Sequence, residues 1–154
     1  MKTIDMSKTF MDLISEAYGK PVRLTYRCSA YVCRDLEGRK AGYFDIQQLF
    51  GCCGVAVVSG LYGCKYGYGY KHGYEDGRMH ALFDKLAQAR AHEMGYTVLL
   101  CTERLTRTIR INAMKENGWE QLSQFNNRRT SNDVGVYSID LKPTIPVGLI
   151  TEQA

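Results

Sequence analysis

Met79, Leu82, Phe83, Leu86, Ala87, Ala91 and Met94 recur at steps of three and four residues. That spacing gathers apolar side chains on one face of a helix, so a helix is expected over residues 78–94. Gly95 follows as its C-terminal stop. On either side, apolar residues run in succession, at 55–61 before the helix and 96–101 after it. Such runs suit strands covered on both faces. Together they predict a strand–helix–strand crossover with the two strands parallel.

The rest of the chain reads around this unit. Residues 10–18 are expected to form a short helix, with Ser7 as N-cap and Gly19 just past its end. Pro21 forces an extended start to the next segment. Residues 22–33 alternate loosely and carry Val, Thr, Tyr and Leu, which predicts one strand. A turn at 35–38, a returning strand at 41–50 and a glycine corner at 51–54 lead into the crossover. After it come a short helix over 107–117, stopped by Gly118, and two strands at 119–125 and 134–141. Asn and Asp in the segment between those strands tolerate the turn conformations of a hairpin tip. Pro143 and Pro146 interrupt regularity, so the chain divides into one domain over 1–141 and a C-terminal tail over 142–154. The element order predicts an α/β class with a central mixed sheet and helices on both faces.

At 154 residues, with 45% hydrophobic and 23% charged positions, the chain can bury a full core and is not compositionally disordered. No apolar window reaches membrane-spanning length, and residues 1–8 lack the apolar core of a signal peptide. No membrane partner and a cytoplasmic location are therefore expected. The net charge of +4 permits an anionic ligand without demanding one. Arg104, Arg107, Arg110, Arg128 and Arg129 read as solvated positions on a helix face and a hairpin tip rather than as a nucleic-acid surface. The six cysteines show no zinc-type pairing: Cys28 and Cys33 would face opposite sides of a strand, and Cys52 and Cys53 are adjacent. No metal site is expected, and small buried thiols are the favoured reading.

The chemistry concentrates where strand 55–61 passes through a loop of Gly and Tyr into the long helix. The first backbone N–H groups of a helix have no partner within it and point at whatever sits before it, which makes this junction an anion site. His80 stands in the helix's first turn and His92 near its end, where a cation suits the dipole; His72 lies in the loop. Tyr62, Tyr66, Tyr68, Tyr70, Tyr74 and Cys64 are candidate proton donors, and Glu75 and Asp76 read as helix caps first and as bases second. Lys65 and Lys71 among the tyrosines also suit a protein partner or self-association through the loop.

The order of elements over residues 20–141, with a glycine junction after the third strand, resembles the GNAT family of N-acetyltransferases. Four places carry the resemblance: Gly77-Arg-Met-His-Ala-Leu-Phe83, which looks like the family's acyl-CoA loop; the run 87–103, with Gly before a buried strand; Asn117-Gly-Trp119, similar to the end of the family's last helix; and the hairpin 125–137, similar to that of phage-encoded GNAT-like proteins. The resemblance implies an acyl-CoA N-acyltransferase fold and acetyl transfer from acetyl-CoA, without metal, to an amine of a small molecule or protein. It implies backbone amides of Gly77, Arg78, Met79 and His80 at the CoA pyrophosphate, with Val57, Val58 and Ser59 beside the pantetheine. Tyr74, Glu75 and Cys64 are the candidate catalytic groups. The family's second small loop residue falls on Met79, its thiolate-protonating tyrosine on Met114, and strand 55–61 lacks the glutamate that often serves as base. These departures motivate the alternative: a non-catalytic GNAT-like phage protein with a virion-structural or host-interaction role, located in the host cell or the virion.

Overall fold

The structure, a computed structural model, describes residues 7–66 and 77–153. Its elements are α1 (Phe10–Tyr18), β1 (Val22–Arg27), β2 (Ala30–Asp35), β3 (Lys40–Gln48), β4 (Val55–Gly63), α2 (Gly77–Glu93), β5 (Val98–Arg104), α3 (Thr108–Glu116), β6 (Glu120–Asn127), β7 (Asn132–Asp140) and β8 (Ile150–Glu152). The eight described strands form one sheet in the order β6-β7-β5-β4-β3-β2-β1-β8. β4 and β5 run parallel, as do β1 and β8, and the other neighbours are antiparallel. The result is the mixed α/β sheet expected from the element order.

Three local features differ from the sequence reading. The first helix is capped by Thr9 rather than Ser7: the Thr9 hydroxyl accepts from the Asp12 N–H at 3.2 Å, and the Thr9 N–H donates to Asp12 Oδ2 at 2.9 Å. This reciprocal pair satisfies two backbone donors at once. Thr9→Ala should lower stability by about 1 kcal/mol, read as a lower thermal midpoint. Residues 22–33 are not one strand but a hairpin, β1 and β2, which turns at Cys28 and Ser29 with Cys28 at φ 55°. The turn has none of the Gly or Asn that normally announces a left-handed position. Finally, residues 145–152 pack onto the domain. Phe10 and Met11 donate to the Pro146 and Val147 carbonyls at 2.9 and 3.0 Å, Val147 is fully buried, and β8 adds a strand beside β1.

Packing explains where the helices sit. Gly42 of β3 and Gly63 of β4 are register partners, and together they leave a flat seat on the sheet. The Phe83 ring of α2 fills that seat: a Cβ on Gly42 would lie 2.3 Å from it, and one on Gly63 2.6 Å. α1 packs beside α2 on the same face, where the Tyr18 hydroxyl donates to the buried Asp35 at 2.8 Å. α3 joins them through Arg110, which reaches His80 of α2, and Trp119 just beyond α3 reaches Asp84. Because β1 and β2 are joined by two residues, no helix separates them. Among the described residues α1 contacts α2, and Arg110 of α3 reaches α2. The other face carries Val32, Tyr43, Tyr62, Val57 and Leu100, all partly exposed.

Candidate active site

β4 and β5 stay in register only at Val55 with Val98, Ala56 with Leu99 and Val57 with Leu100. Both strands continue, β4 to Gly63 and β5 to Arg104, so they part beyond Val57 and Leu100. Gly60 enforces the divergence. The β3–β4 register shifts between Tyr43 and Asp45, and Gly60 takes φ 64° with the Tyr43 ring only 2.8 Å from where a Cβ would stand. A bulge of this kind bends its strand away from a neighbour. The gap so opened is a cavity of about 630 Å³, lined from the strands by Val58, Ser59, Tyr62, Cys101 and Thr102, and closed on one side by Met114 and Trp119.

Charged groups from three elements meet at its wall. Arg110 of α3 donates through Nη1 to Glu103 Oε2 at 3.1 Å and through Nη2 to His80 Nδ1 at 3.0 Å. Arg107 adds a 3.4 Å contact to Glu103 Oε1. Since Nδ1 accepts from a guanidinium, the imidazole proton sits on Nε2. Burial first, then the charges of Arg110 and Arg107, push the His80 pKa down to about 3, so the ring is neutral at pH 7. One turn further along α2, Asp84 accepts from Gln88 Nε2 and from Trp119 Nε1, both at 3.0 Å. Burial raises the pKa of Asp84 even against these two bonds. Burial likewise raises that of the Cys101 thiol, which stays protonated. A second cavity of about 430 Å³ opens between the first turns of α2 and α3, at Gly77 and Thr108. His80, Arg107 and Arg110 line both cavities, so their hydrogen-bonded chain is the partition between them.

The residues singled out from sequence fall into distinct places. Val58, Ser59, Cys64 and His80 line the larger cavity, and Gly77 with His80 the smaller one. Val57 stands at the root of the gap, the last β4 residue paired with β5. Arg78 is exposed on the first turn of α2. Met79 points the other way: its side chain is buried in the core, so it leaves the helix's outer first turn open. Cys64 is a buried thiol within 3.5 Å of the Lys40 carbonyl, its pKa raised by burial. Tyr68, Tyr70, His72, Tyr74, Glu75 and Asp76 lie outside the described residues. Glu103, Asp84 and Trp119 were not anticipated as site residues, and Arg107 and Arg110 were read as solvated. The available signal was Asp84, an acid next to Phe83 on the apolar face of α2 and four residues from His80, the spacing of neighbours on a helix. Among the described residues no group of three His, Cys, Asp or Glu side chains is placed to hold a metal. No described helix is long and apolar enough to cross a membrane.

No protein-family model matches the sequence, and no curated protein sequence matches it. Solved structures do resemble the fold. An IAA acetyltransferase from Bacillus cereus superposes with a TM-score of 0.56 at 11% identity, over 73% of this chain and 77% of that one. Ard1 from Thermoplasma volcanium gives 0.57 at 11% identity, over 84% and 76%. An acetyltransferase of the GNAT family from Staphylococcus aureus gives 0.53 at 11% identity, over 73% and 67%. The fold is that of the GNAT acetyltransferases. At these identities the likeness establishes the architecture, while the chemistry rests on the residues of this chain.

Proposed function

We propose that the chain is an acyl-CoA-dependent N-acyltransferase that moves an acetyl group from acetyl-CoA to an amine. The observation that carries this reading is the parting of β4 and β5 over a 630 Å³ cavity that reaches the first turn of α2. An extended thioester needs such a slot, and its phosphates need unpaired helix amides at one end. The residues fit that ligand: among the described residues nothing lies within 4 Å of a Cβ built on Gly77, and Arg107 and Arg110 line the cavity beside it.

In this reading the amides of Gly77, Arg78, Met79 and His80 hold the pyrophosphate, while Val57, Val58 and Ser59 run beside the pantetheine. The amine nitrogen attacks the thioester carbonyl carbon; a C–N bond forms, the C–S bond breaks, and the amine loses a proton to water. Positioning supplies much of the acceleration. Met114 stands at the cavity without a proton to give. His80, with its proton on Nε2, can donate to a pyrophosphate oxygen at that same turn of α2. Tyr74 and Glu75 remain candidates at the loop mouth.

Met114 also favours a second reading: a GNAT-fold protein that binds its ligand without turnover, in a virion-structural or host-interaction role. Chromatographic measurement of acetyl-CoA consumption across a panel of amines separates the two. Amine-dependent consumption is expected. Binding without consumption would support the second reading, and neither would remove both.

A further inference from the structure

β6 lies at one edge of the sheet, and β7 is its one neighbour among the described strands. Its eight residues, Glu120–Asn127, are exposed along all but the last, with Leu122 at 60% and Phe125 at 48%. Alternate residues of an antiparallel edge strand turn their N–H and C=O away from the strand they pair with. No other described strand takes those of β6. Sheet edges are usually protected by charge, by proline or by brevity. Residues Gln121–Asn127 carry neither a charge nor a proline. The register shift between Gln121 and Ser123 lies near the start of the strand, and Ser123–Asn127 then pair with β7 without a break. The opposite edge differs: β8 has three residues.

Charge marks the two ends of this strand. Glu120 opens it and Arg128 and Arg129 follow it, all three exposed and without an ion pair among the described residues. We propose that β6 pairs antiparallel with β6 of a second copy of this chain, joining the two sheets into one. Antiparallel pairing about a twofold axis sets the Glu120 end of each strand against the arginine end of the other. It also brings Gln124 and Phe125 of both copies near the axis, where exposed apolar surface leaves water and aromatic rings on neighbouring strands reach one another. The contact is self-complementary, and the short β8 edge gives it nowhere to propagate, so assembly stops at two copies. The dimer stands on β6 and its flanking charges and does not depend on the acyltransferase reading.

Sedimentation equilibrium of the full chain, over a concentration series reaching hundreds of micromolar, is the test. The wild type should approach twice the chain mass and no more. Phe125→Lys, at a half-exposed position, should keep its thermal midpoint and sediment as a monomer, because a charge at the middle of the edge meets its own copy across the axis. Glu120→Arg should weaken dimerisation about tenfold or more, since symmetry repeats the new repulsion at both ends. Exchanging the ends, with Glu120→Arg combined with Arg128→Glu and Arg129→Glu, should bring the dimer back to within about threefold of the wild type, the scale of exposed ion pairs. A wild type that stays monomeric, a dimer indifferent to Phe125→Lys or to Glu120→Arg, an end exchange that restores nothing, or assemblies that grow beyond two copies would overturn the proposal.

Discussion

Phe83→Ala should lower the unfolding free energy by about 3–5 kcal/mol, the usual cost of deleting a large buried aromatic side chain. The ring has no solvent exposure and fills the seat made by Gly42 and Gly63. Neither glycine has a side chain that could move into the vacated space, so collapse around it is limited and the cost falls in the upper part of that range. Denaturant unfolding with an unchanged slope and a lower midpoint would be the signature. The same geometry makes the substitutions interdependent. Gly42→Ala in the wild type puts a methyl group 2.3 Å from the ring, whereas in Phe83→Ala that methyl has room. The double variant should therefore be more stable than the sum of the single effects predicts, as contacting residues usually are not additive. Strict additivity would mean that α2 is not seated on these glycines.

The second large effect is one of pH. The folded pKa of His80, about 3, lies below its ordinary value of 6.5, chiefly through burial. Above pH 6.5 both folded and unfolded chains hold the ring neutral, and it contributes nothing to pH dependence. As the pH falls through 6.5, the unfolded chain takes up a proton that the folded chain refuses until about pH 3, so stability falls across that window. His80→Gln, whose side-chain oxygen can still accept from Arg110, should flatten that part of the profile. The Asp35 carboxyl, buried but held down by the Tyr18 hydroxyl and by the backbone N–H groups of Arg39 and Glu37, also loses stabilising power in acid. That contribution is common to both proteins and cancels in the difference. Denaturant unfolding between pH 4 and pH 8 gives the comparison. Parallel profiles would place His80 in water rather than behind Arg110.

How far the site could be read from the chain follows from the range of each interaction. The α2 helix and its flanking strands are local patterns with a clear period, and they stand where the sequence puts them. The β1–β2 turn was hidden because Cys28 takes a left-handed conformation that its residue type does not advertise. The role of residues 145–152 was hidden because their partners, α1 and β1, lie more than a hundred residues away in the chain. The gap itself depends on the bend at Gly60 and on pairing that stops after Val57, which composition and periodicity do not encode. The contact between His80 and Arg110 joins residues thirty apart, and Asp84 with Trp119 thirty-five. Each was visible as a residue, and none as a pair.

Arg110 connects the parts of the site. It ties α3 to α2 through His80, neutralises Glu103, keeps the imidazole uncharged and partitions the two cavities. A phosphate-bearing ligand at the first turn of α2 would find this guanidinium and that of Arg107 already gathered there.

Calorimetric titration with acetyl-CoA tests that arrangement most directly. The account predicts saturable binding at one site per chain, weakened about tenfold or more in Gly77→Glu, where a carboxylate stands among the helix amides and repels the pyrophosphate. Heats no larger than dilution at millimolar acetyl-CoA, or equal binding by the wild type and Gly77→Glu, would contradict it.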